Sequence, residues 1–154
     1  ELSTLGLEPG TFVFLTMLDF NSFMSRKNPI GALDAFRRAF PRQDGSERLL
    51  VKTINGHAHS DDLARLLAHV ETDPRIVVVD GAYSRALTNG LIAAVDCLVS
   101  LHRAEGLGRT IAEAMLLDTP VVATDWSGST SLCDSAWNKD PVFGVIGIQS
   151  GPRG

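Results

Sequence analysis

The sequence predicts a Rossmann-like three-layer α/β/α sandwich: a parallel sheet of about five to six strands with helices on both faces. Three observations predict it. Apolar runs of strand length alternate with segments of helical spacing along the chain. The strand-like runs are nearly continuously apolar, as expected of strands buried on both faces. Most of these runs end at their carboxyl side in a glycine or a polar residue, where an open parallel sheet binds its ligands.

The elements follow in order. Thr11 to Met17 is rich in β-branched and aromatic residues and reads as the first strand. Asn28-Pro29 opens a helix, because proline suits the first turn. Ile30, Leu33, Phe36 and Phe40 give it an apolar face, and Pro41 ends it. Arg48 to Ile54 is the second strand, closed by Asn55-Gly56. Ser60-Asp61-Asp62 looks like a helix cap with acidic first-turn residues, and Leu63, Leu66, Leu67 and Val70 form that helix's apolar face. Ile76 to Val79 is a short buried strand, broken by Asp80-Gly81. A helix from about Ser84 to Ala94 leads into the strand Cys97 to Leu101. Glu105-Gly106-Leu107-Gly108 then opens an apolar helix running to about Leu117, which Asp118-Thr119-Pro120 ends. Val121 to Thr124 is the fifth strand, and Ser127-Gly128-Ser129 starts a short helix or turn. The pattern fades after about Cys133. The chain reads as a single domain, 1–154, with a core of about 11–132 and a poorly patterned tail over 133–154.

Composition narrows the function. Hydrophobic residues make up 44% and charged residues 21%, enough for a real core and against disorder. The net charge is −4 and the basic residues are scattered, apart from pairs such as Arg26-Lys27 and Arg37-Arg38. That argues against a nucleic-acid partner. No apolar run is long enough to span a bilayer, which takes about 18 residues. Two cysteines make no disulfide framework, so a cytoplasmic setting is the default.

The fourth carboxyl end is distinctive because it sets two glycines at a helix N-terminus. Unpaired N–H groups and the helix dipole suit a phosphate there, although a tight turn accounts for the glycines equally well. Neither the G-x-G-x-x-G fingerprint after the first strand nor the G-x-x-x-x-G-K-[ST] loop is present, which weakens a dehydrogenase or NTPase reading. On the next helix Arg109 and Glu113 share a face. They form either a surface ion pair or, more pointedly, Glu113 faces the cleft and accepts from sugar hydroxyls.

Glu105-Gly106-Leu107-Gly108-Arg109-Thr110-Ile111-Ala112-Glu113-Ala114-Met115 resembles the E-x7-E signature of glycosyltransferases with the B-type double-Rossmann fold, most of all the large retaining group classed as family 4. Its flanks, Leu98 to His102 before and Asp118 to Thr124 after, are similar too, and the likeness extends from about Phe12 to Gly128. The resemblance implies the C-terminal, donor-binding half of such an enzyme, of hexosyltransferase type, taking a nucleoside-diphosphate sugar with retention. It implies that Glu105 lies near the donor sugar. Backbone amides around Gly106, Leu107 and Gly108 would meet the sugar and diphosphate, and Glu113 would accept from the ribose. Lys27, with Arg26 as alternate, would neutralise the diphosphate, and the loop Asp80-Gly81-Ala82-Tyr83 would border the nucleobase. Two departures stand out: the basic residue that many relatives carry just after the first strand is missing, with Asp19 near that position, and the family's pattern does not continue well beyond about Ser131.

An N-terminal acceptor-binding domain is expected to be missing from this chain, so these residues alone should bind donor without completing transfer. The full-length enzyme could associate with a membrane. A non-catalytic nucleotide-sugar-binding module and an unrelated Rossmann-like nucleotide-binding enzyme are the alternatives. No D-x-D motif occurs, so no cofactor and no metal are expected. His57, His59, Asp61 and Asp62 lack zinc-type spacing and read as a polar loop entering a helix. Asp44 and Glu47 read as loop solvation, Cys97 as core, and Trp126 as a residue near the cleft or at the core's edge.

Overall fold

The structure is a computed structural model and describes residues 2–132. The expectations for Cys133 and the 133–154 tail lie outside the described residues.

Five strands form one parallel sheet: β1 (Val13–Asp19), β2 (Arg48–Ile54), β3 (Ile76–Asp80), β4 (Cys97–Ser100) and β5 (Val121–Ala123). Their order is β3-β2-β1-β4-β5, so the chain reverses direction across the sheet between β1 and β4. The helices are α1 (Met24–Lys27), α2 (Pro29–Ala39), α3 (Ser60–Val70), α4 (Arg85–Ala94) and α5 (Arg109–Leu116). Short 3-10 turns occur at Leu2–Leu5, Gly56–Ala58 and Ser127–Ser131.

The sequence expectations hold for each main element, with small shifts. The first strand starts and ends two residues later than the apolar run suggested. Val13 is fixed instead by pairing with Arg48, and its N–H donates to Asp96 at 2.7 Å. His59, rather than Ser60, is the N-cap of α3, and no side chain caps it. Ser84 does cap α4, accepting from the Leu87 N–H at 3.2 Å. Short α1 was not anticipated. Its four residues carry no local periodicity, and Asn28 in the left-handed region (φ 53°) joins it to α2.

Two apolar layers sandwich the sheet. Leu15, Leu50 and Leu98 meet Leu91, Ile92, Ile111 and Ala114 of α4 and α5 on one face. Leu49, Val51 and Ile76 meet Leu33, Phe36 and Leu66 of α2 and α3 on the other. Cys97 is core, as expected, and burial pushes its thiol up to about 11. At the amino ends of the strands Asp73 and Arg75 form a buried two-pronged pair, with bonds of 3.0 and 2.8 Å. Arg75 also donates to the carbonyls of Phe40 and Arg42 and lies over the Phe36 ring. That pair ties β3 to the end of α2, at the end of the sheet away from the cleft.

Among the described residues no helix is long and apolar enough to cross a membrane, and no cluster of three or more His, Cys, Asp or Glu could hold a metal.

Candidate functional site

A cleft of about 630 Å³ opens at the carboxyl ends of the strands, beside the β1/β4 reversal. Its volume is in the range of small-molecule sites, and its position is where an open parallel sheet leaves room for a ligand. Strand ends supply Asp19, Lys52 and Thr53, and the loop before α1 together with α1 supplies Ser22, Arg26 and Lys27. From the other side come Glu105 and Leu107, with Arg109, Thr110 and Glu113 on α5.

The loop between β4 and α5 presents the E-x7-E segment. Gly108 is the N-cap of α5 and sits in the left-handed region at φ 75°, a conformation that strains any residue with a Cβ. The Ala112 N–H donates to the Gly108 carbonyl at 2.9 Å. The N–H groups of Arg109, Thr110 and Ile111 therefore have no partner within the helix ladder. Glu105, in the loop before α5, and Glu113, on α5, line the same cleft.

Glu105 is tied down. Lys27 Nζ donates to its Oε2, and Arg26 stands 3.7 Å from the same oxygen. Burial pushes the Glu105 carboxyl up, but the Lys27 hydrogen bond, the charges of Lys27 and Arg26 and the Gly106 N–H together hold it below the usual carboxylate range. Arg26 is itself anchored, donating to the Ala104 carbonyl at 3.1 Å and to Ser22 Oγ at 3.0 Å. Arg26 and Lys27 thus both reach the cleft, and Lys27 makes the closer contact with the acid.

Glu113 does not pair with Arg109. Its Oε1 accepts from Arg85 Nη1 at 3.1 Å, so α4 and not α5 supplies the partner. The surface pair considered from the i,i+4 spacing therefore does not form, and the carboxylate faces the cleft from a site only 22% exposed.

The loop after β3 divides. Gly81 and Tyr83 line the cleft, whereas Asp80 turns away and accepts from Thr53 Oγ1 at 2.8 Å and from the Gly56 N–H at 3.2 Å. Ala82 and Gly106 are not among the lining residues, and Gly108 borders a small adjoining pocket. Lys52 was not singled out from the sequence. It is buried on β2, donates to the carbonyls of Thr53 and Gly81, and lies 4.2 Å from the Tyr83 ring centroid. Burial lowers its pKa, against a smaller opposing effect of Asp80. The signal that could have found it is a lysine directly after the apolar run Leu49-Leu50-Val51, inside a strand buried on both faces.

A second layer braces the E-x7-E loop from the turn at Ser127–Ser131. Ser127 Oγ donates to the Glu105 carbonyl at 2.9 Å, and the Gly128 N–H donates to the same oxygen at 2.9 Å. A Cβ on Gly128 would run into the Gly106 carbonyl, so only glycine allows this approach. The buried His102 ring joins the two loops, with Nδ1 3.0 Å from Ser100 Oγ and Nε2 2.9 Å from Ser129 Oγ. His57 and His59 stay outside this arrangement. His59 Nε2 lies 3.1 Å from Asn21 Oδ1, and its ring stacks on Phe20.

The family described as glycosyl transferases group 1 matches residues 21–140. No curated protein matches the chain. Among solved structures, HepE of Anabaena in complex with UDP-glucose is similar at 20% identity and TM-score 0.67, over 86% of this chain and 35% of that one. An E. coli structure, trehalose-6-phosphate bound with UDP-2-fluoro glucose, is similar at 13% identity and TM-score 0.66, over 84% and 32%. The N-terminal domain of Candida albicans trehalose-6-phosphate phosphatase is similar at 13% identity and TM-score 0.66, over 84% and 31%. At these identities the likeness is one of fold. The chain spans about a third of the length of these structures.

Proposed function

From the premise that the chain belongs to the glycosyl transferases of group 1, we propose that its cleft binds a nucleoside-diphosphate sugar. The glycosyl group then passes to an acceptor with retention. The observation that carries this reading is the meeting of Lys27, Glu105, Glu113 and the uncapped start of α5 in one cleft at the sheet's reversal point.

In this reading the diphosphate lies against Lys27 and the free N–H groups of α5, which suit an anion through their unpaired donors and the helix dipole. Glu113 accepts from the ribose hydroxyls, and Gly81 and Tyr83 border the base. Glu105 accepts from hydroxyls of the sugar. As the bond from the sugar's anomeric carbon to the diphosphate oxygen breaks, its electron pair leaves with the diphosphate. Lys27 and the amides are then placed to stabilise the growing charge. The acceptor oxygen forms the new bond to the anomeric carbon on the face the diphosphate leaves, and its proton passes to the departing diphosphate.

Transfer also needs an acceptor held in reactive geometry. We place the acceptor site outside these residues, so the chain alone binds donor with negligible turnover. No metal has a role in this scheme.

Titration with UDP, UDP-glucose, ATP and NAD(P)H tests the proposal. Heat or thermal shift with a nucleotide sugar or its diphosphate is the expected outcome, unaltered by a chelator. A response to NAD(P)H alone would overturn it.

A further inference from the structure

We propose that Arg109 is the second phosphate-binding cation of this cleft, beside Lys27. The proposal rests on the reading of the cleft as a donor site.

It follows from the pairing of charges around the cleft. Each acid is already satisfied. Asp19 accepts from the Asn21 N–H at 2.9 Å and from Asn55 Nδ2 at 2.8 Å. Glu105 holds Lys27, and Glu113 holds Arg85. Of the cations, Arg26 is spent on Ala104 and Ser22, Lys27 on Glu105, and Lys52 on two carbonyls beneath Tyr83. Arg109 also lines the cleft, and among the described residues its side chain has no hydrogen bond and no ion pair. It is the cation that can take an anion without giving anything up.

Its placement adds to this. Arg109 is the first residue of α5, whose first turn carries no acid, so a positive side chain sits against the positive end of the helix. That is locally unfavourable in the free protein and relieved by a bound anion. A guanidinium grips phosphate oxygens through two parallel N–H donors, which an ammonium cannot do. A dianionic diphosphate would therefore meet Arg109 first, and Lys27 only as Lys27 exchanges Glu105 for phosphate.

The test is calorimetric titration of the 154-residue chain and its Arg109→Ala, Arg109→Lys and Lys27→Ala variants with UDP, uridine and inorganic pyrophosphate. Arg109→Ala should weaken UDP and pyrophosphate by about tenfold, leave uridine unchanged and flatten the salt dependence of UDP binding. Arg109→Lys should recover part of the loss. If Lys27→Ala weakens UDP and Arg109→Ala does not, the cleft is a donor site and the role of Arg109 is overturned. If Arg109→Ala weakens uridine as much as UDP, Arg109 is not a phosphate ligand and the proposal fails. If the unaltered chain binds neither UDP nor pyrophosphate, the donor-site reading fails and this inference falls with it.

Discussion

Replacing Glu105 by glutamine should tighten the binding of nucleoside diphosphate while abolishing the extra affinity that the sugar confers. In the free cleft Lys27 is held by Glu105, and the two side chains are only 20% and 14% exposed. A diphosphate that recruits Lys27 must draw it away from that carboxylate. A hydrogen bond between charged groups is worth about 1.5–3 kcal/mol, and each 1.4 kcal/mol is about tenfold in affinity. The pair keeps some access to water, so the lower part of that range applies. Glu105→Gln keeps the shape and removes the charge. UDP should then bind about tenfold more tightly than to the unaltered chain. The donor sugar reverses the balance, because its hydroxyls replace Lys27 as partners of Glu105. In the glutamine variant UDP-glucose, or whichever nucleotide sugar binds best, should gain little over UDP. Calorimetric titration of both ligands against both proteins gives four affinities, and circular dichroism melts establish that the variant is folded. Equal or weaker UDP binding by the variant would show that Lys27 does not need to leave Glu105, and a retained sugar increment would remove Glu105 from the sugar.

Lys27→Ala should weaken nucleoside diphosphate by about tenfold and spare the nucleoside, whereas Glu113→Ala should weaken both by a similar factor. Equal losses for every ligand in both variants would contradict the division of roles. Asp73→Asn should cost about 3–5 kcal/mol of stability, because it leaves the buried Arg75 guanidinium without its carboxylate, and chemical denaturation reads that directly. The Arg75 hydrogen bond holds the Asp73 carboxyl below its usual range. The pair's contribution is therefore full above the unfolded value of about 3.9 and fades as pH falls through the lower folded value. The variant should lose that acid limb of the stability curve. Gly128→Ala should lower the melting temperature and weaken donor binding together, since its Cβ forces the Glu105-Gly106 backbone away; overpacking of this kind costs about 1–3 kcal/mol. An unchanged melt would place the Ser127–Ser131 turn elsewhere.

The local pattern of this sequence determined a good deal by itself. The apolar run from Arg48 to Ile54 is β2 to the residue, and the helix opened by Asn28-Pro29 and stopped before Pro41 is α2. Such segments are legible because the period of their apolar positions and the backbone limits of proline and glycine act within a few residues. The convergence of Lys27, Glu105 and Glu113 was foreseen only through the E-x7-E resemblance, since no periodicity links residues some 78 positions apart. Tertiary structure alone decided the rest. The strand order, which puts β1 beside β4, depends on pairings between distant segments. The partner of Glu113 is Arg85 and not its helical neighbour Arg109, because α4 packs against α5 and brings a guanidinium closer than the i,i+4 geometry does. Lys52 became a cleft residue only when β3 and its following loop placed the Gly81 carbonyl and the Tyr83 ring over it. In each case the energy of a charge is set by what surrounds it in space, and that surrounding is assembled from parts of the chain that do not adjoin in sequence.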